Sequence, residues 1–339
     1  MVTDGPADRR RVDDEAMPEA VVEYLQRFGY LDIPSMDAAA DRKATPTPNE
    51  GQREPDTNVD LRAALADLQA FFGLPITGRS SPQIESLVAE PRCGVPDLGT
   101  LSGAVSLPDE RRRWEQDILY YHLENLAPGV PDADTRAAFS NAAAAWNKVM
   151  PMSLREVPGG ATINVSFVPN DHGDGKPFDA DTTRNVLAHA FYPGEGRLAG
   201  DMHFDFREVW SAATPLPGNA VDVFSVAVHE FGHAIGLTHS SERAAVMFPS
   251  LTPGLRLPGL HADDINRIQD LYGVPTIVPG VVGEQTPQAV RMLRERRLGA
   301  AYPKGWKPNA TVIRQSPGRN ARAAEGSKVD LILRGGEIL

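Results

Sequence analysis

The segment His229-Glu230-Phe231-Gly232-His233-Ala234-Ile235-Gly236-Leu237-Thr238-His239 constrains this chain more than any other feature. Residues four apart share a helix face, so His229 and His233 can grip one metal ion. Glu230 then lies beside that metal, placed to act on a bound water. Gly236 can take a backbone conformation closed to other residues, which ends the helix and turns the chain. His239 returns from the turn as a third ligand. Zinc in such sites is tetrahedral, so three protein ligands leave one position for water or substrate.

The chain has 339 residues, too many for one ordinary domain, and two or three are expected. Its hydrophobic (41%) and charged (23%) fractions are those of a soluble globular protein. No apolar stretch approaches a membrane span. Met1 to Pro18 is charged and polar and does not read as a secretory signal. The net charge of −11 is uneven: Thr276 to Leu339 holds eight Arg and three Lys against four Glu and one Asp. That tail is therefore +6 and the remainder −17, which suggests an anionic partner for the tail. No nucleic-acid partner is expected. A single cysteine, Cys93, excludes an internal disulfide.

Residues 1–17 read as disordered. Val21, Val22, Leu25 and Phe28 have a helical period within Pro18 to Tyr30. Residues 36–60 are rich in Pro, Asp, Thr and Asn and read as a flexible insertion. Leu61, Leu65, Leu68 and Phe72 restore a helical pattern. Ser81-Pro82 opens a third short helix to about Val88, as a cap followed by a first-turn proline. Residues 18–90 thus form a small helical bundle. Further on, strands are expected at Ile118 to Glu124, Thr162 to Val168, Asn185 to Phe191 and Asp201 to Phe206. Helices are expected at Asp132 to Val149 and Ala262 to Tyr272.

Two short segments tie this layout to a known family. Pro91-Arg92-Cys93-Gly94-Val95-Pro96-Asp97 resembles the cysteine switch of the matrix metalloproteinases, or matrixins. Met247, eight residues after His239 in Ala245-Val246-Met247-Phe248-Pro249, resembles the Met-turn that floors the zinc site in metzincins. The resemblance implies an α+β fold: a helical pro-domain (18–90), a switch segment (91–103) and a metzincin catalytic domain (104–275). The last is a twisted mixed sheet with three helices. It also implies that the Cys93 thiolate holds the open zinc position in the latent form, with Arg92 and Asp97 paired to fix the loop. Cleavage between Asp97 and Trp114 then releases an amino group that pairs with Asp263.

The same resemblance assigns the remaining acids and histidines. His172, Asp174, His189 and His203 match a second, structural zinc site, and four protein ligands with no water suit a closed site. Of eight histidines, only His122 and His261 are then left over. Asp179, Asp205 and Glu208 match ligands for at least one calcium, a hard cation that favours carboxylates. Leu187 and Ala188 lie on the strand expected to pair with substrate. Pro249 and Leu251 line the specificity pocket, with Leu251 where the family usually has tyrosine. Ser225 sits at the pocket base, where a larger side chain is common, so large apolar groups should enter.

Residues 276–339 resemble a PASTA domain, the small helix-and-sheet module of bacterial wall-associated kinases and penicillin-binding proteins. The resemblance rests on Val278 to Gly283, a helix through Ala289, Val290, Leu293 and Leu298, Val312 to Pro317, and Gly326 to Leu333. Together these imply a secreted or wall-associated latent zinc endopeptidase. It would act on protein or peptide and bind peptidoglycan or an anionic wall polymer through its tail. Two other readings stay open: a wall-binding protein with a vestigial protease, and a cytosolic regulatory metalloprotease.

Overall fold

The computed structural model describes residues 17–31, 57–98, 112–178, 186–302 and 310–334. Residues 1–16, most of the proposed insertion, most of the cleavage window and Asp179 lie outside the described residues.

The chain divides into two compact units, residues 1–88 and 89–339. The first contains α1 (Glu19–Arg27), α2 (Thr57–Phe71) and α3 (Pro82–Val88). Leu25, Leu65 and Leu68, helix-period residues read from the sequence, are fully buried at its centre together with Ile84 of α3. The Ser81 hydroxyl accepts from the Ile84 amide at 3.4 Å, as a helix cap does. Helix α2 starts at Thr57, four residues before the hydrophobic pattern, so residues 57–60 are helical where an insertion was expected. Helix starts carry cap-type and acidic residues, and Thr57, Asn58 and Asp60 are of that kind, which hides the first turn from a hydrophobic-period reading. The turn after α2 is organised by Gln69, whose carbonyl accepts from the Thr77 and Gly78 amides at 2.8 Å each.

The second unit begins with β1 (Arg92–Cys93), followed by β2 (Ile118–Leu123), α4 (Asp132–Val149), β3 (Ser153–Glu156) and β4 (Ile163–Val168). Then come β5 (Val186–Ala190), β6 (Met202–Asp205), β7 (Trp210–Ser211), β8 (Val221–Asp222), α5 (Val223–Ala234) and α6 (Ala262–Tyr272). Six strands make one mixed sheet in the order β1-β5-β6-β4-β2-β3. Only the β5–β6 pair is antiparallel; the other neighbours run parallel. One apolar core gathers Leu119, Tyr121, Phe139, Trp146, Phe204 and Phe231. Helix α4 is fastened to α5 where the Trp146 indole donates to the Val228 carbonyl at 2.8 Å. A buried indole N–H needs such a partner, and here the bond locks the helix that carries the histidines.

The expected strands and helices of this unit are present, with strand ends drawn in by a residue or so. Residues 275–334 add β9 (Pro275–Ile277), α7 (Thr286–Glu295), β10 (Gly299–Ala301), β11 (Thr311–Ser316), β12 (Arg322–Ala324) and β13 (Lys328–Arg334). Strands β10, β13 and β11 form a three-stranded sheet over a separate core with Val278, Ala289, Leu293, Val312 and Val329. Strand β13 alternates exposed and buried along its length, so one face of that sheet covers the core. Leu298 is buried but lies beyond α7, in a turn where Arg297 takes φ 54. Its apolar phase thus continues past the helix end.

Candidate metal centre and active site

The helix start and end of α5 set the first cluster. The Asp222 carboxylate caps the helix by accepting from the Ser225 amide at 3.0 Å. Four residues apart near the other end, His229 and His233 bring their Nε2 atoms to 3.1 Å. Gly236 has φ 106, and a Cβ there would overlap the Arg112 carbonyl, so only glycine makes this turn. The turn returns His239, whose Nε2 lies 3.3 Å from that of His229.

Each imidazole is held by its other nitrogen. His229 donates from Nδ1 to the Val246 carbonyl, His233 to the Leu237 carbonyl and His239 to the Asp97 carboxylate, all at 2.7 Å. With the proton fixed on Nδ1, three Nε2 lone pairs face one point, the arrangement of metal-ligating histidines. Lone pairs at this spacing repel unless a cation lies among them. Burial holds His229 down at about 3 and also depresses His233 and His239, so all three are neutral, as ligands must be. The Cys93 thiol completes the group: all four ligand atoms lie within 4.8 Å of one another. Burial first, then the Glu230 charge, pushes that thiol up, an effect a metal would reverse.

Glu230 is fully buried, and neither carboxylate oxygen has a nitrogen or oxygen hydrogen-bond partner among the described residues. Burial raises it to about 8. Its carboxylate faces the Cys93 thiol, and the donor set of three histidines and that thiol fits a metal site.

Cys93 is placed by backbone pairing. Strand β1 adds to the edge of β5 in parallel, with Cys93 opposite Ala188. On its other side the Cys93 amide donates to the Pro249 carbonyl at 2.9 Å, and the Leu251 amide donates to Pro91 at 2.8 Å. The segment is therefore clasped between β5 and the wall at 249–251. Arg92 and Asp97 form a buried two-pronged pair at 2.6 and 3.1 Å. Burial alone would raise Asp97, but Arg92 and then His239 outweigh it and hold it down to about 2.

The turn at Met247 packs against α5. Met247 is fully buried, and a Cβ on Gly232 would overlap its sulfur. The glycine inside the motif thus makes room for the methionine. Asp264 fixes the turn from α6: it accepts from Val246 and His261 amides at 2.8 Å each and from Met247 at 3.1 Å. Sequence reading missed Asp264. The signal was there in His261, which caps α6 with Asp264 as the reciprocal partner. The other leftover histidine, His122, donates from Nδ1 to the Val157 carbonyl at 3.1 Å.

The second cluster is built by strand register. His189 and His203 face each other across the antiparallel β5–β6 pair. The loop after β4 brings in His172 and Asp174. One Asp174 oxygen lies 2.8 Å from His172 Nε2, 2.8 Å from His189 Nε2 and 2.9 Å from His203 Nδ1. Burial opposes ionisation of Asp174, but bonds from His189 and the Lys176 amide outweigh it and hold it below the usual range. Burial likewise lowers His189 to about 4. Three imidazoles around one carboxylate suit a closed four-ligand site.

Of the expected calcium ligands, Asp179 lies outside the described residues. Asp205 accepts from the Arg207 guanidinium at 3.1 Å, and burial, then the Asp205 charge, raises Glu208.

Beside the first cluster is a void of about 40 Å³, bordered by Leu187, Ser225, Pro249, Leu251 and Leu257 together with Cys93 and Glu230. Ala188 does not border it; its carbonyl accepts from the Gly94 amide at 2.8 Å. The sequence reading missed Leu257, which bounds the space that small Ser225 leaves.

The family model of the matrixins matches residues 113–273. Neutrophil collagenase of Homo sapiens is 36% identical over 279 residues, covering 81% of this chain and 54% of the relative. Matrix metalloproteinase-20 of Homo sapiens is 41% identical over 214 residues, 62% of this chain and 41% of the relative. Interstitial collagenase of Equus caballus is 39% identical over 227 residues, 66% of this chain and 45% of the relative. The chain spans about half the length of these curated relatives. Among the described residues, no helix is long and apolar enough to cross a membrane. Residues 113–273 thus carry a matrixin domain, the class of domain that acts as a zinc metalloendopeptidase.

Proposed function

We propose that this chain is a latent zinc endopeptidase, held closed by Cys93. The observation that carries the reading is the convergence of the Cys93 thiol with three neutral, oriented histidines beside a buried Glu230. Bound by His229, His233 and His239, zinc supplies polarisation of a peptide carbonyl and acidifies water. Glu230 takes the water proton and delivers it to the leaving nitrogen. Cys93 occupies the fourth ligand position until the pro-segment leaves. The β5 edge, now taken by β1, then becomes free to pair with an extended substrate through Leu187 and Ala188. Pro249, Leu251 and Ser225 border the pocket for one substrate side chain, over the Met247 floor.

His172, Asp174, His189 and His203 hold a second, structural zinc. Asp205 and Glu208, with Asp179, hold calcium, which would relieve the repulsion that raises Glu208. Activation cuts between Asp97 and Trp114. Residues 276–339 form a PASTA-like module whose +6 charge binds peptidoglycan or an anionic wall polymer of a secreted or wall-held protein. The 279-residue likeness to a collagenase extends beyond the matrixin match and takes in residues before 113.

The test uses the full-length chain. Cys93→Ser should cleave an unstructured peptide library without processing, because serine is a poor zinc ligand at neutral pH. Adding Glu230→Gln should retain both zinc ions and lose ~10²–10⁴-fold in turnover. A zinc-loaded Cys93→Ser protein that cleaves nothing even after cutting between Asp97 and Trp114 has freed the β5 edge would overturn the reading in favour of a vestigial protease. Cell fractionation separates the wall-associated from the cytosolic alternative.

A further inference from the structure

The loop after the Met-turn is tied down by a side chain that the chemistry does not use. Arg256 donates from Nε and Nη2 to one Asp222 oxygen at 2.9 and 2.7 Å. Its Nη1 reaches the Thr214 hydroxyl at 2.8 Å, and Nη2 also reaches the carbonyls of Ala212 and Ala213 at 3.0 and 3.2 Å. The Asp222 side chain is 0% exposed, so this pair is held away from water at its acidic end. The other Asp222 oxygen accepts from the Ser225 hydroxyl at 2.7 Å, and that hydroxyl accepts from the Leu257 amide at 2.8 Å. Arg256, Asp222, Ser225 and Leu257 therefore close a ring between the loop and the first turn of α5.

Leu257 is a partition. On one side it borders the 40 Å³ void with Ser225 and Glu230. On the other it borders an open groove of about 800 Å³, with Ala144, Lys148, Phe224 and Leu260 around it. Leu257 is common to the linings of the void and the groove. Ser225 is small and spends its hydroxyl on the ring, so it cannot block the pocket itself. Pocket length is left to the position of Leu257.

We propose that Arg256 is a positioning residue that sets substrate specificity by pinning Leu257 as the end wall of the side-chain pocket. With the pin in place the pocket takes branched aliphatic side chains of leucine size. With it removed, Leu257 can swing toward the groove and the pocket accepts longer groups. This rests on the endopeptidase reading above. An Arg fork to a carboxylate and three further acceptors fixes orientation as well as charge, which a lysine could only partly replace.

The experiment compares Arg256→Met, Arg256→Lys and the double variant Arg256→Met/Asp222→Asn in the Cys93→Ser protein after cutting between Asp97 and Trp114 has freed the β5 edge. The double variant guards against misfolding: asparagine caps a helix about as well as aspartate, and no buried charge is left facing an apolar side chain. Two readouts are taken. Amide exchange at 252–260 needs no turnover, and Leu257 should exchange more than ~10-fold faster in the methionine variants. Peptides differing only in one side chain, leucine against O-benzyl-tyrosine, report specificity. The ratio of kcat/KM for the long over the short side chain should rise about 10-fold or more. The change should lie mostly in KM, with partial return toward the parent in Arg256→Lys. Unchanged exchange at Leu257, or faster exchange with an unchanged peptide ratio, overturns the proposal. Failure of the parent to cleave either peptide overturns instead the endopeptidase reading and the substrate pocket with it.

Discussion

Asp97→Asn should unlock the switch segment without replacing any residue of the histidine cluster. The substitution keeps the side-chain shape and removes the negative charge that faces both Arg92 and His239. The Arg92 and Asp97 side chains are 3% and 0% exposed. Breaking a buried pair of this kind from one side costs ~3–5 kcal/mol. Both partners regain water when the segment lifts off, so the cost falls on docking and not on the fold of the catalytic domain. At 1.36 kcal/mol per tenfold, even ~3 kcal/mol raises the undocked population more than ~100-fold. The assay is the rate at which a thiol reagent labels Cys93 under native conditions, where labelling requires undocking. A second consequence runs through His239, which loses the carboxylate that orients it; outer-partner losses of this sort weaken metal binding ~10–100-fold. Zinc transfer to a chelator reports this separately. Arg92→Met/Asp97→Asn should recover part of the slow labelling, because the stranded cation is gone. A folded Asp97→Asn protein labelled at the parent rate would refute the reasoning.

Gly232→Ala places a methyl where the Met247 sulfur lies; overpacking should lower thermal stability by ~1–3 kcal/mol, and an unchanged Tm would show the Met-turn to be loosely packed. Asp174→Asn should drop bound zinc from two ions to one while His229, His233 and His239 keep theirs; metal analysis finding both ions retained would remove Asp174 from the ligand set. In the metal-free chain, burial raises Glu230 from 4.5 to about 8. Between those values the folded state holds a proton that the unfolded state has lost, so stability falls as pH rises from 4.5 toward 8. Glu230→Gln should flatten that slope in denaturant titrations; an equal slope in both proteins would place Glu230 in a wetter site.

The first histidine cluster was legible because it is local. His229 and His233 meet through helix pitch, and His239 follows from a turn that Gly236 alone permits, so eleven residues settle most of the cluster. His189 and His203 were found by resemblance, and the cross-strand register that joins them depends on β5 and β6 pairing antiparallel. The helix-period residues of α1 and α4 likewise announced their elements, since one buried face repeats every turn, while Ser81-Pro82 announced α3 as a cap. Helix α2 lost its first turn to polar cap-type residues that carry no such repeat.

What orients and encloses the site was decided only in three dimensions. The Asp97 bond to His239 spans 142 residues, the Val246 and Met247 amides depend on Asp264, and Arg256 reaches back 34 residues to Asp222. No periodicity links such pairs. An exposed aspartate and a buried one look alike in a sequence, and only packing decides which carboxylate is stripped of water and must be answered by a histidine, an amide or a guanidinium.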